Sequence, residues 1–179
     1  MVLPAARTRD EAHLYLDLHP CDRCLSVSTT WDSVLTSVDG VPARRYAGVC
    51  ADCGTGREYL FALPEHAAGT RPGTVHFGGS QPSELLDPGE WLLVADLTAE
   101  AAAATTDPAE AAESTGIALA AMVEILKFVP AGADAVPADL FRTERGRTVY
   151  RQEPGRFRRR RLEIVRDAYR DALDRIGPR

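Results

Sequence analysis

Two cysteine pairs, Cys21-Asp22-Arg23-Cys24 and Cys50-Ala51-Asp52-Cys53, constrain this chain more than any other feature. A Cys-x-x-Cys turn bends so that its two sulfurs converge on one point, and two such turns supply the four thiolates of a tetrahedral structural metal shell. Disulfide frameworks spread their cysteines along the chain, whereas tight pairing is ligand spacing. The 25 residues between Cys24 and Cys50 are enough for an antiparallel hairpin. Gly54, directly after the last cysteine, suits a backbone that must turn sharply. The expected centre is therefore a structural Zn²⁺ on Cys21, Cys24, Cys50 and Cys53. His19, two residues ahead of the first pair, is expected at a strand end or as a donor to a thiolate, since four sulfurs already fill the shell.

The flanking pattern is β-like. Leu14, Leu16 and Leu18 alternate with Tyr15, Asp17 and His19, which is the period of a half-buried strand leading into the first pair. Leu25 to Val38 is rich in Ser, Thr, Val and Trp31, Asp39-Gly40 is a favoured hairpin turn, and Val41 to Val49 is the returning strand. Arg57 to Leu63 reads as a further strand ended by Pro64. Over residues 14 to 63 these features resemble the zinc-ribbon group of folds, in which two knuckles at the ends of β-hairpins share a metal. The resemblance implies closed four-cysteine coordination, with the metal stabilising the fold and no open position for a substrate water. Ribbons of this kind bind nucleic acid, dock proteins or serve as clasps, and the resemblance does not choose among those uses.

Beyond a connecting loop over 65–81, broken by the apolar run Val75 to Phe77, helix signals dominate. Pro82 suits a first turn, and Pro88 opens a segment with Trp91, Leu92, Leu93, Val94 and Leu97. Asp107-Pro108 is an N-cap followed by a first-turn proline. The helix that follows presents Leu119, Met122, Val123 and Leu126, widened by Ile125 and Phe128, and stops at Pro130 and Gly132. A short element runs from Val136-Pro137 through Phe141. The last helix is expected from Pro154 to Ile176, with Leu162, Val165, Tyr169, Leu173 and Ile176 on its apolar side and Gly177-Pro178 as its stop. The organisation predicted is α+β: a β-rich zinc-ribbon module over 10–64, the connecting loop over 65–81, and a mainly helical part over 82–179.

With 45% hydrophobic and 26% charged residues in 179, the composition is ordinary for a soluble globular chain. No apolar run is long enough to suggest a membrane span, and Met1 to Asp10 lacks a secretory pattern, so a cytoplasmic address is expected. Lys127 is the only lysine and asparagine is missing, which suggests a GC-rich coding bias. The net charge of −5 hides a division, because residues 142–179 hold 13 Arg against 6 acids while residues 1–141 hold 8 basic residues against 20 acids. The run Arg156-Phe157-Arg158-Arg159-Arg160-Arg161 calls for compensating anions, from the acidic body, another subunit or a target. Arg156, Arg158, Arg159, Arg160 and Arg161 are accordingly the candidate partner-binding residues.

No catalytic residue is assigned. Ser80 after Gly78-Gly79 has neither a nucleophile elbow nor a Walker-type lysine, and His13, His66 and His76 lack metal or catalytic spacing. Glu84, Asp87, Glu90 and Asp96 are explained as carboxylates near helix starts. The function read from the sequence is a noncatalytic, zinc-stabilised module that recognises another protein, such as a binder or inhibitor of the immunity type. The alternative is a nucleic-acid-binding ribbon using the Arg156 to Arg161 run, against which stand the acidic body and the scarcity of basic residues near the cysteines beyond Arg23 and Arg57. A third reading is an enzyme with a site the motifs do not reveal.

Overall fold

The computed structural model describes residues 3–64 and 75–176. Most of the expected connecting loop, His66 within it, and the Gly177-Pro178 stop lie outside the described residues. Helix α1 (Arg9–Leu18) precedes strands β1 (Thr29–Val38), β2 (Val41–Cys50) and β3 (Gly56–Ala62). Helices α2 (Pro88–Ala104), α3 (Pro108–Leu126), α4 (Glu144–Gln152) and α5 (Arg159–Ile176) follow, with 3-10 turns at Ala138–Leu140 and Pro154–Phe157. The α+β expectation holds, and the chain divides into two compact units, Met1–Gly69 and Thr70–Arg179.

In the N-terminal unit the Asp39-Gly40 turn sets the register. Both residues have positive φ, 51° and 82°, as a two-residue hairpin requires. That places Val38 opposite Val41 and, at the far end, Thr29 opposite Cys50. β3 pairs with the other side of β2, and its outer edge is met at its last residue by Ala6 N–H to Ala62 O (3.2 Å) and Ala62 N–H to Pro4 O (3.0 Å). One face of the sheet packs on α1, where His13 meets Tyr46 with ring centroids 5.4 Å apart and Tyr15 meets Phe61 at 5.4 Å.

The strand expected over Leu14 to His19 is instead the second half of α1 and its cap. Thr8 Oγ1 accepts the Glu11 N–H at 3.1 Å, and buried Glu11 takes the Arg7 N–H at 2.7 Å and its guanidinium at 2.5 Å. This N-terminal capping starts a helix, after which Ala12 and Leu16, four residues apart, share the buried side. Leu14 and Leu18 are only half-buried. Three leucines at a spacing of two imitated a strand because so short a run does not separate the two periods.

The C-terminal unit is organised by one carboxylate. Asp87 Oδ1 accepts the N–H groups of Gly89 (2.9 Å) and Glu90 (3.0 Å), and Glu90 returns an acceptor to the Asp87 N–H at 3.1 Å. Asp87 Oδ2 accepts from the Thr143 N–H (2.8 Å) and hydroxyl (2.9 Å), while Thr143 Oγ1 caps α4 by accepting the Gly146 N–H at 2.9 Å. A single buried side chain thus joins the starts of α2 and α4. Two glycines make that approach possible: a Cβ on Gly89 would stand 2.5 Å from Gly146 Cα.

Pro82 opens no helix. Ser83 Oγ accepts the N–H groups of Leu85 and Leu86, at 3.1 and 3.0 Å, and turns the chain toward the Asp87 cap instead. α3 begins at the expected Asp107 cap, whose Oδ1 accepts the Ala109 N–H at 2.9 Å. Its buried face runs through Ala118, Ala121, Met122 and Ile125, leaving Val123 exposed.

The single helix expected from Pro154 is interrupted. Pro154 opens only a 3-10 turn, and Arg158 is extended before α5 starts. The break buries Phe157 against Phe141 and Tyr150, at 4.7 and 5.8 Å between centroids. α4 escaped the sequence reading because its residues, ERGRTVYRQ, offer too few apolar positions to display a period.

Gly89→Ala is expected to lower unfolding free energy by about 2–4 kcal/mol, because the added methyl meets backbone that cannot move aside; urea denaturation measures this. Burial pushes the Glu90 carboxyl up from its ordinary value, against the Asp87 N–H that favours its ionised form. The native state therefore holds this proton more tightly than the unfolded chain. Stability falls as pH rises from the ordinary glutamate range through the raised native value. Glu90→Gln keeps the acceptor for Asp87 and is expected to flatten that decline in a plot of Tm against pH.

Candidate metal centre

The two cysteine turns have the same backbone construction. In the first, the Cys21 N–H donates to Ser26 O and the Leu25 N–H to Cys21 O, both at 2.8 Å. In the second, the Cys50 N–H donates to Thr55 O and the Gly54 N–H to Cys50 O, both at 2.9 Å. Equal offsets and equal bonds make them two copies of one knuckle. β2 delivers Cys50 as its last residue, and the Ala51 N–H donates to Ser28 O at 2.8 Å, which fixes the second knuckle beside the start of β1.

Arg57 of β3 fastens the first knuckle to the sheet. Its guanidinium donates to the His19 carbonyl and to Thr29 Oγ1 (2.9 Å), and lies over the Trp31 ring 4.8 Å from the centroid. Sequence reading saw Arg57 only as a basic residue near the cysteines. Its alignment on one sheet face with Trp31 and Tyr59 becomes visible once the strand register is known.

The knuckles bring the sulfurs together. Cys21 Sγ lies 3.6 Å from Cys53 Sγ, Cys24 Sγ lies 3.5 Å from Cys50 Sγ, and all four atoms fall within 4.8 Å of one another. Thiolates at about 2.3 Å from one tetrahedral ion stand about 3.8 Å apart, so the cross-knuckle distances fit a shared metal. Cys21 and Cys50 are buried, Cys53 is partly covered and Cys24 is exposed.

Electrostatics point the same way. The Thr55 hydroxyl, 3.2 Å from Cys53 Sγ, and the Thr55 N–H draw the Cys53 thiol down to about 6. The backbone N–H of Cys53, with that of Asp52, likewise lowers Cys50. At Cys24 the Ser26 N–H lowers the value, yet the neighbouring Cys53, Cys50 and Cys21 side chains and the desolvation of the thiol together push it up to about 12. Thiolates this close repel, and all four ionise together only when a cation shares their charge. The cluster is thus positioned to bind a metal ion, and an all-sulfur tetrahedral donor set selects soft or borderline metals.

The other residues singled out from the sequence have different surroundings. His19 caps the end of α1, with Nδ1 2.7 Å from the Tyr15 carbonyl and its ring stacked on Tyr15 at 3.8 Å. His13 packs on Tyr46, whereas His76, Ser80 and Glu84 are exposed. Asp87 and Glu90 form the capping box of α2.

The arginine run divides in two. Arg156 makes a two-pronged pair with Asp96, at 2.8 and 2.6 Å. Arg159 donates to the carbonyls of Val129 (3.3 Å), Pro130 (2.8 Å) and Ala133 (3.0 Å), just past the C-terminus of α3, where the helix dipole favours a cation. Arg158, Arg160 and Arg161 are exposed.

Among the described residues no helix is long and apolar enough to cross a membrane. Comparison of the chain with known protein families, curated proteins and solved structures finds no match in any of the three.

The knuckles differ at one position. Where the second has Gly54 at φ 71°, the first has Leu25 at φ 61° with 76% of its surface exposed. The left-handed conformation costs a residue with a side chain about 1 kcal/mol that glycine avoids. Leu25→Gly is therefore expected to raise the stability of the metal-loaded protein by about 0.5–1 kcal/mol, and Gly54→Ala to lower it by about as much. Chemical denaturation of the two variants at equal metal content checks both.

Proposed function

We propose that this chain is a noncatalytic protein-interaction module of the bacterial cytoplasm, whose N-terminal unit is clasped by a structural Zn²⁺ in the manner of a zinc ribbon. The convergence of Cys21, Cys24, Cys50 and Cys53 carries the reading. Zinc is the metal proposed because a closed shell of four thiolates is its usual structural form, and it asks nothing of the protein in redox chemistry. Four protein ligands leave no position for a substrate water, which favours a clasp over a catalyst. Paired thiols of this kind also suit a reducing compartment.

Two surfaces support an interaction role. Leu25 and Val27, at the first knuckle, are 76% and 57% exposed. An apolar side chain held in a strained conformation on a metal-fixed loop fits a docking contact better than a purely structural turn. Arg158, Arg160 and Arg161 would add attraction toward an acidic protein surface. Neutralising or regulating the bound partner, as an immunity-type protein does, is the specific form proposed.

Elemental analysis of purified protein is expected to return one zinc per chain. Cys21→Ser and Cys50→Ser are each expected to lose it together with several kcal/mol of stability; a variant that keeps both metal and stability would remove the clasp. For the interaction, the combined Leu25→Ser and Val27→Ser variant is expected to keep its zinc and lose a partner that the parent chain retains from native cytosol. Retention of nucleic acid instead, falling steeply as salt rises, would move the assignment to a nucleic-acid-binding ribbon.

A further inference from the structure

The four sulfurs of the cluster are not equivalent. Cys24 is exposed, Cys53 is partly covered, and Cys21 and Cys50 are buried. Hydrogen bonding separates the two outer sulfurs further. Because the knuckles share one construction, Ser26 in the first corresponds to Thr55 in the second: each offers the carbonyl that receives the N–H of its knuckle's first cysteine. Both residues carry a hydroxyl, but the two hydroxyls are directed differently. Thr55 Oγ1 lies 3.2 Å from Cys53 Sγ, whereas Ser26 Oγ accepts the Ser28 N–H at 3.0 Å. Cys53 therefore receives both the hydroxyl and the N–H of Thr55, while Ser26 gives Cys24 its N–H. Each added donor draws charge from a ligating sulfur and makes it a poorer nucleophile. Cys24 is thus the sulfur that solvent reaches most freely and the less restrained of the two outer ones. Behind it stands a second sulfur, the buried Cys50 Sγ, at 3.5 Å. Exposure with a neighbouring cysteine in reach is the arrangement that oxidants find at reactive thiolates.

We propose that Cys24 is a site of oxidation by hydroperoxides, that Cys50 resolves it to a Cys24–Cys50 disulfide, and that this disulfide releases the metal. The proposal rests on the metal reading above and adds how the loaded site is emptied. Cysteines that ligate a metal do so as thiolates. The Cys24 thiolate attacks one peroxide oxygen and the O–O bond breaks, which leaves a sulfenic acid on Cys24 and frees a hydroxide. The sulfur has lost two electrons and the peroxide has gained them. The Cys50 thiolate then attacks the Cys24 sulfur, the S–O bond breaks, and a second hydroxide departs as the disulfide forms. Two thiolates and one peroxide become one disulfide and two hydroxides. Cys21 and Cys53 remain, one from each knuckle, and two thiolates do not make the closed shell that holds a structural ion. Leu25 follows Cys24 directly, with its N–H bonded to Cys21 O. Emptying the site therefore loosens the loop that presents this exposed apolar side chain.

The test is a time course of hydrogen peroxide on the full zinc-loaded chain, with released zinc followed by a chromogenic chelator and the cysteines mapped by mass spectrometry. Zinc is expected to leave as two thiols disappear, and non-reducing peptide maps are expected to show Cys24 joined to Cys50. A sulfenic-acid trap such as dimedone is expected to label Cys24 first. Treatment with dithiothreitol and fresh zinc is expected to restore the loaded chain. Cys24→His replaces the exposed sulfur by an imidazole, itself a zinc ligand, and the loaded variant is expected to release its zinc about tenfold or more slowly. If Cys24→His does not load, the order of labelling and the disulfide map of the parent chain decide alone. First labelling at another cysteine, a disulfide that omits Cys24 or Cys50, or zinc retained while thiols are oxidised overturns the proposal and leaves the metal reading standing. A chain that binds no zinc overturns both.

Discussion

Four thiols within 4.8 Å of one another are the constraint on which the N-terminal unit depends. One helix and three strands enclose few large buried side chains: Leu16, Tyr46 and Phe61 are the principal ones. A core of that size supplies little stability, and small units commonly add a metal for that reason. The cysteines also come from distant parts of the unit, two following α1 and two at the junction of β2 and β3. A shared ion would therefore hold the end of the helix against the sheet. Arg57 acts along the same line by joining the His19 carbonyl to Thr29, so a cation of the protein itself already reinforces the path to the first knuckle.

What could be read from the sequence was chemistry confined to a few neighbouring residues. The cysteine pairs, the Asp39-Gly40 turn and the Asp107-Pro108 cap each specify their own local geometry, and the structure has all three in place. α1 was misread because its capping residues, Thr8 and Glu11, lie ahead of the leucines that drew attention. α4 was missed because its burial is borne by Gly146, a residue with no hydrophobic signature.

The arginine run shows a different limit. Charge counting said that anions were needed, but the partners of Arg156 and Arg159 are a carboxylate 60 residues away and carbonyls 26 to 30 residues away. Only tertiary structure separates these two from the exposed Arg158, Arg160 and Arg161. The same holds for Asp87 and Glu90, which looked like ordinary helix-start acids. Nothing local reveals that Asp87 serves a second helix.

That shared carboxylate bears on how the C-terminal unit can come apart. Asp87 and Thr143 are 56 residues apart in the chain, yet each helps complete the other's helix start. Should α4 detach, the Asp87 carboxylate would lose the two donors on Oδ2 while Oδ1 still caps α2. Fraying at one end of the unit is thereby penalised at the other, so partial opening gains little and loss of structure tends toward all or none. Proteases and chaperones that act on locally opened segments would find few intermediate forms to seize.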